Sequence, residues 1–197
     1  MRKYFIVGLL FLATIAPEGC IFEPRTADPP ESGTNQYPWI VPNMPKDVFV
    51  NLKSGLASNL DSNYERSLDP EFAFIPFDDA EAVYPLSFAD WTKVVELTVL
   101  ARIKTLYFGE RSVQFGDANL HFPVQIEDQP RLAIYEGPYT ITLNPGDGSP
   151  AVIYAGEARF TIVQGTQGWV LSIWEDIGQI PGNSNSGMLR GALRILP

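Results

Sequence analysis

The chain holds one cysteine, Cys20, and one histidine, His121, among 197 residues. One thiol cannot close a disulfide, so a disulfide framework and an internal redox pair are both excluded. A zinc site built from several Cys and His ligands is excluded by the same count. Positive charge is scarce too: 14 Lys and Arg stand against 23 Asp and Glu, for a formal net charge of −9. Phosphate backbones are gripped by clustered Lys and Arg, so nucleic acid is not an expected partner. No serine-nucleophile elbow, metal-ligand helix or dinucleotide fingerprint is present. Gly146-Asp147-Gly148 reads as a turn and not a phosphate loop, because no Lys or helix start follows it. No cofactor and no metal are expected. What is present is a chain that is 45% hydrophobic and 19% charged, enough for a packed core in one domain with an appendage.

The appendage is at the N-terminus. Arg2 and Lys3 precede an apolar run, Tyr4 to Ala16, that is too short for a span of ~20 residues. A basic start and a short apolar stretch make a secretory signal. Gly19-Cys20 then follows Pro17-Glu18, and this junction resembles the lipobox of bacterial lipoproteins. The resemblance implies that residues 1–19 are a lipoprotein signal peptide. It also implies that Cys20 is the lipid attachment site, carrying fatty acyl chains such as palmitate. Pro17 and Glu18 differ from that motif, and cleavage after Ala16 is the rival reading. Two or more acyl chains hold a protein on a bilayer almost permanently. The expected location is therefore the bacterial cell envelope, lipid-anchored to a membrane. Residues 20–42 contain Pro24, Pro29, Pro30, Pro38 and Pro42 and read as a tether, able to reach roughly 60–70 Å at ~3.1 Å per residue. Its end, Tyr37 to Val41, is apolar and is expected to dock on the folded body.

Asn43 can cap a helix that tolerates Pro45 in its first turn, and Val48, Leu52, Leu56 and Leu60 give it one apolar stripe. Asp61 to Asp69 reads as the helix end and a further short turn, with Tyr64 and Leu68 facing inward. Glu71 to Phe77 is a strand that Pro76 confines to an edge or an end. A second helix is expected over Ser87 to Leu106, from Phe88, Trp91, Val95, Val99, Ile103 and Leu106 at three- and four-residue steps, with a strand over the β-branched Thr92–Val99 as the competing reading. From Arg111 the period changes to two. Arg131–Leu143, Pro150–Val163 and Trp169–Asp176 are joined by turn-rich sequence into an antiparallel meander. Helices first and a curved antiparallel sheet afterwards define an α+β domain over residues 43–197.

Two segments, SNLDSNYERSLDPEFAFIP at 58–76 and ARFTIVQGTQGWVLSIWEDIG at 158–178, resemble the NTF2-like (SnoaL-like, cystatin-like cone) superfamily, and the tail Gly187–Ala192 resembles the closing segment of its uncharacterised lipoproteins. The resemblance implies a sheet wrapped around N-terminal helices to form a cone. That shape serves enzymes, carriers and assembly modules alike, so it leaves function open.

Candidate chemistry is thin. His121 is expected to point away from the core-type Leu120 and Phe122, to the solvent-facing or partner-facing side of the sheet. Asp78, Asp79 and Glu81 read as loop charge; Glu175 and Asp176 read as charges that cap or pair near a strand end. Phe72, Phe74, Trp91, Tyr135, Tyr154, Phe160, Trp169 and Trp174 could line a cavity or fill the cone. Two functions follow. One is a non-catalytic binding domain for a protein partner, a second copy through the open sheet face, or an apolar ligand. The other is an isomerase- or dehydratase-type enzyme using a buried carboxylate in the cone. A filled cone favours the first.

Overall fold

The computed structural model describes residues 38–59, 61–116, 124–126 and 129–196. The chain divides into two units, Met1–Thr34 and Asn35–Pro197, and every described residue belongs to the second. Cys20, the leader before it, and His121 with Leu120 and Phe122 lie outside the described residues.

Pro45–Ala57 forms α1. Val48, Leu52 and Leu56 recur one turn apart and are all buried, with Phe49 beside them. The cap is Met44, one residue later than expected, because the Asp47 carboxylate accepts from the Met44 N–H at 2.9 Å. The short α2, Ser62–Ser67, turns Tyr64 inward. It crosses α1 closely at Gly55, where a Cβ would sit 2.5 Å from the backbone nitrogen of Tyr64.

Strand β1, Leu68–Ile75, starts three residues earlier than expected and stops before Pro76. The acidic stretch expected as a loop is a six-residue helix, α3, Asp78–Val83. The next helix, α4, runs Lys93–Leu106 and begins six residues later than the sequence pattern predicts. Leu86 and Asp90 hold left-handed backbone, φ 69° and 53°, which a right-handed helix cannot contain. Residues 84–92 are therefore turns, and Trp91 enters the core from a loop.

Five further strands follow: β2 Arg111–Phe115, β3 Val124–Ile126, β4 Gln129–Leu143, β5 Val152–Gly165 and β6 Gly168–Gln179. The order is β1-β6-β5-β4-β2, with β3 also on β4. The β4–β5–β6 meander is antiparallel as expected. Strand β1 pairs with β6 in parallel, so the sheet is mixed rather than wholly antiparallel. A parallel neighbour needs a long connection, and here α3, α4 and four strands intervene. Last comes α5, Ser186–Arg194.

Alternation divides the sheet into two faces. Tyr135, Tyr139 and Ile141 of β4, Phe160 and Ile162 of β5, and Leu171 and Trp174 of β6 are buried in the core that also holds the apolar residues of α1, α4 and α5. The other face carries Leu132, Ile134, Thr161, Val163, Val170 and Ile173, all partly exposed. The described part of the tether's end, residues 38–41, docks through Ile40. Asn51, fully buried on α1, accepts from the Ile40 N–H and donates to the Ile40 carbonyl, at 3.0 and 2.8 Å. The Trp169 N–H donates to the Pro42 carbonyl at 2.9 Å. No helix among the described residues is long and apolar enough to cross a membrane.

Candidate functional site

Polar groups inside an apolar core mark the place where chemistry is affordable only if every group is satisfied. Such a group lies where α4, α5, α2 and the inner sheet face meet. Glu96 projects from the first turn of α4 on the stripe shared with Val99, Leu100 and Ile103 and is 3% exposed. Arg190 comes from the middle of α5 and is 4% exposed. The two form a bidentate pair. Arg190 Nε donates to Glu96 Oε2 at 3.0 Å and Nη2 donates to Oε1 at 2.8 Å. The Tyr64 hydroxyl donates to Oε1 at 2.8 Å and the Trp91 indole N–H donates to Oε2 at 3.0 Å. Each carboxylate oxygen thus accepts two donors.

The guanidinium is flanked by aromatic faces. Its Cζ lies 4.3 Å from the Phe74 ring centroid and 4.2 Å from that of Trp174, a cation–π geometry. Burial alone would raise the Glu96 carboxyl, but the Arg190 charge and the four donors outweigh it and hold it below its ordinary range. Burial works against the charge of Arg190 too, and the Glu96 carboxylate more than compensates. Burial and the neighbouring Glu96 charge push the Tyr64 hydroxyl well up. Glu96 is therefore ionised and paired, and because both its oxygens already accept two donors it has no free lone pair aimed at a substrate proton, which makes it a poor general base.

A second buried carboxylate, Asp176, holds the start of α5. It accepts from the Ser186 hydroxyl at 2.8 and 2.9 Å, from the Gly187 N–H at 2.8 Å and from the Trp174 indole N–H at 2.9 Å. A carboxylate at a helix N-terminus is favoured by the orphan N–H groups there. Burial pushes its carboxyl up, against the pull of Arg190 and its donors. The Ser186 N–H donates to the Tyr139 hydroxyl oxygen at 2.6 Å. Asn185 caps α5 by accepting from the Met188 N–H at 3.0 Å, and donates to Asp79 at 2.8 Å. What space remains beside the pair is a cavity of about 30 Å³ with largely apolar walls, including Leu52, Leu100, Ile141 and Leu189. That is room for about one water.

The structure brings Phe74, Trp91 and Trp174 together around the ion pair. Tyr135 and Phe160 sit in a second aromatic group with Phe49 and Phe115. Phe72 is buried in the same core; Trp169 is buried beside Pro42; Tyr154 is half-buried. Asp176 lies three residues before the end of β6 and turns inward to hold the start of α5, while its neighbour Glu175 faces outward and pairs with Arg159, so both cap or pair near the strand end as expected. Asp78 and Glu81 lie in the first turn of α3. Glu96 and Arg190, the centre of the site, escape a reading that looks for apolar stripes. The available signal is a lone charge within such a stripe, Glu96 ahead of Val99, Leu100 and Ile103, and Arg190 between Leu189 and Leu193. No group of three or more potential metal ligands occurs among the described residues.

No family model matches the chain, and no curated protein matches it. Solved structures do match in shape. A nuclear transport factor 2 (NTF2-like) superfamily protein from Salmonella enterica superposes on 70% of this chain and 90% of its own, at 10% identity and TM-score 0.51. A protein assigned as a scytalone dehydratase from Novosphingobium aromaticivorans covers 68% of this chain and 80% of its own, at 12% identity and TM-score 0.53. A protein assigned as a calcium/calmodulin-dependent protein kinase II association domain, from Xanthomonas campestris, covers 68% and 84%, at 14% identity and TM-score 0.50. Likeness at this level concerns the fold alone. The chain is an α+β protein with the NTF2-like cone fold, its interior closed by the C-terminal helix.

Proposed function

We propose that this protein is a non-catalytic binding module of the bacterial cell envelope, held to a membrane by lipid on Cys20, and that it meets a protein partner through the outer face of its sheet. The observation that carries this reading is the filled interior. The cone offers about 30 Å³, and its central carboxylate is already neutralised by Arg190. Neither an apolar ligand of ordinary size nor a proton-abstracting step finds a place there, since ligand pockets measure roughly 300–1,000 Å³.

The outer face has the character of a contact surface. Cross-strand rows place Ile134, Thr161, Ile173 and Ala73 side by side, and Leu132, Val163 and Val170 beside them. Ile75 at the edge is 44% exposed. The charged row Glu136, Arg159 and Glu175 borders this apolar field. An apolar centre with a charged rim is the anatomy of a protein interface. The lone cysteine and the proline-rich segment support the anchor, because a thiol with no partner in the chain is free to be acylated.

The test uses the full chain expressed in a bacterium fed a clickable palmitate analogue. Label and membrane fractionation are expected for the natural chain and are lost in Cys20→Ser. A photo-crosslinking residue at Thr161 is expected to give a discrete band, either a second copy or another protein, whereas the same residue at Val94 on α4 gives none. A free Cys20 thiol in the soluble fraction, or equal capture from both positions, overturns the reading.

A further inference from the structure

The two edges of the sheet are finished differently. Strand β1, at one edge, is blunted against pairing. Pro70 removes an N–H from it, Lys93 Nζ donates to the Leu68 carbonyl at 2.9 Å, and the register breaks between Leu68 and Ala73. Strand β2, at the other edge, carries no proline and keeps an unbroken register with β4 from Arg111 to Phe115. The bonds that flank it fix which groups point outward. The Asn144 N–H donates to the Glu110 carbonyl at 3.0 Å, and the Gly116 N–H donates to the Pro138 carbonyl at 2.6 Å. Bonding to an antiparallel neighbour alternates along a strand, so Ser112 and Gln114 also bond toward β4. Val113 and Phe115 turn their N–H and C=O the other way, where no described strand pairs with β2.

A groove runs along this open edge. It measures about 370 Å³, and its walls are largely apolar: Pro38 and Ile40 from the tether's end, Val50 and Ala57 from α1, and Val113 from β2. Ligand sites measure roughly 300–1,000 Å³, so the groove is large enough to be one. Helix α1 lies antiparallel to β2. Arg111 donates to the carbonyls of Leu56 and Ala57 at the start of the strand, and Phe49 packs on Phe115 at its end. Lys53, midway between Phe49 and Ala57, therefore stands beside the middle of the groove. It is exposed, and its ammonium lies 6.0 Å from the centre of the Phe115 ring. Glu110 borders the groove at the Arg111 end, so a carboxylate is repelled there and attracted at the centre.

An occupant must bring alternating donors and acceptors to the strand edge, apolar side chains to the groove and one negative charge to Lys53. An extended peptide brings all three, since main-chain bonds to an edge give affinity and alternate side chains give specificity. A fatty acid brings the apolar body and the charge but offers the edge carbonyls no donor. We propose that the edge of β2 and the groove beside α1 form a docking site for an extended segment of another protein. The segment carries an acidic side chain between two apolar ones at alternate positions and joins the sheet as a further strand. The site lies on the edge of the sheet, apart from its outer face, and rests neither on the partner reading for that face nor on the anchor.

The test uses the full chain and the probe peptide Ac-Val-Thr-Glu-Thr-Val-NH2, whose first, third and fifth residues face both the edge and the groove. N-methylation of its central Glu is expected to weaken binding by roughly tenfold or more. N-methylation of its second residue, whose N–H faces away, is expected to leave binding within roughly twofold. Lys53→Glu is expected to weaken the probe by roughly tenfold and to favour a peptide with Lys at the centre instead. In the free protein, the amides of Val113 and Phe115 are expected to exchange faster than those of Ser112 and Gln114. The probe at about ten times its Kd is expected to slow the first pair by roughly tenfold and to leave β5 unchanged. No binding at millimolar probe, equal weakening by the two methylations, or a Lys53→Glu effect that is the same for both central charges overturns the proposal. So does protection of Val113 and Phe115 that rises with protein concentration alone, which assigns the edge to a second copy.

Discussion

Arg190→Ala strands the Glu96 carboxylate in the core without its counter-charge. Removing one member of a buried pair costs about 3–5 kcal/mol, whereas replacing both by apolar or neutral groups of like volume is often tolerated. Arg190→Ala is therefore expected to lose about that much in a urea titration, and Glu96→Gln/Arg190→Met to recover most of it. Tyr135 makes the complementary case. Its hydroxyl is buried and has no hydrogen-bond partner among the described residues, pressed between Gly116 and Gly137. An unsatisfied buried hydroxyl costs about 1–3 kcal/mol. Tyr135→Phe is expected to be neutral or stabilising by up to about 1 kcal/mol, and a loss above that figure in the same titration contradicts the reading. Charged residues are where the sequence is hardest to read. Glu96 and Arg190 each satisfy the other, but nothing local in either segment reports a partner 94 residues away. Which way Asp176 faces is hard to read for a related reason, since alternation along β6 assigns faces only when its bulges are known.

Elements were more legible than sites, and the reason is periodicity. Val48, Leu52 and Leu56 announce α1, and the turn-bounded alternating runs announce β4, β5 and β6. The apolar steps at Phe88 and Trp91 fit a helix equally well, but they belong to turns that precede α4, because spacing carries no record of the positive φ at Leu86 and Asp90. Close approaches between elements are likewise invisible until seen. Gly55 is the example: in an isolated helix Ala gains about 1 kcal/mol over Gly, yet a Cβ here meets the Tyr64 backbone at 2.5 Å. Gly55→Ala is expected to cost a net 1–3 kcal/mol, roughly the range for overpacking. Because Tyr64 orients Glu96, the same change is expected to increase amide exchange at α5, measured beside a conservative control such as Ser62→Ala.

At the scale of the whole molecule, the two buried carboxylates pull the acid response in opposite directions. The Asp176 carboxyl is raised by burial, so the native state takes up its proton before the unfolded chain does. Stability from this group grows as pH falls from neutral, and the gain is complete below about pH 4, where the unfolded carboxyl is protonated as well. The Glu96 carboxyl is lowered, burial notwithstanding, by Arg190 and the surrounding donors. Its contribution is present above the ordinary carboxylate range and is lost as pH falls through the lowered native value. Asp176→Asn is expected to flatten the gain between neutral pH and about pH 4 and to leave the steeper acid loss in place. Glu96→Gln/Arg190→Met is expected to do the reverse. Denaturant midpoints across pH 3–8, roughly the carboxylate and histidine range, separate the two.

The order of Glu96 and Arg190 along the chain also sets an order on synthesis. Tyr64, Trp91 and Glu96 are made first, and the cation that completes them follows 94 residues after Glu96. Until Arg190 has emerged, the nascent domain lacks the counter-charge at its centre, so a product cut short before Arg190 is expected to be left with an uncompensated buried carboxylate.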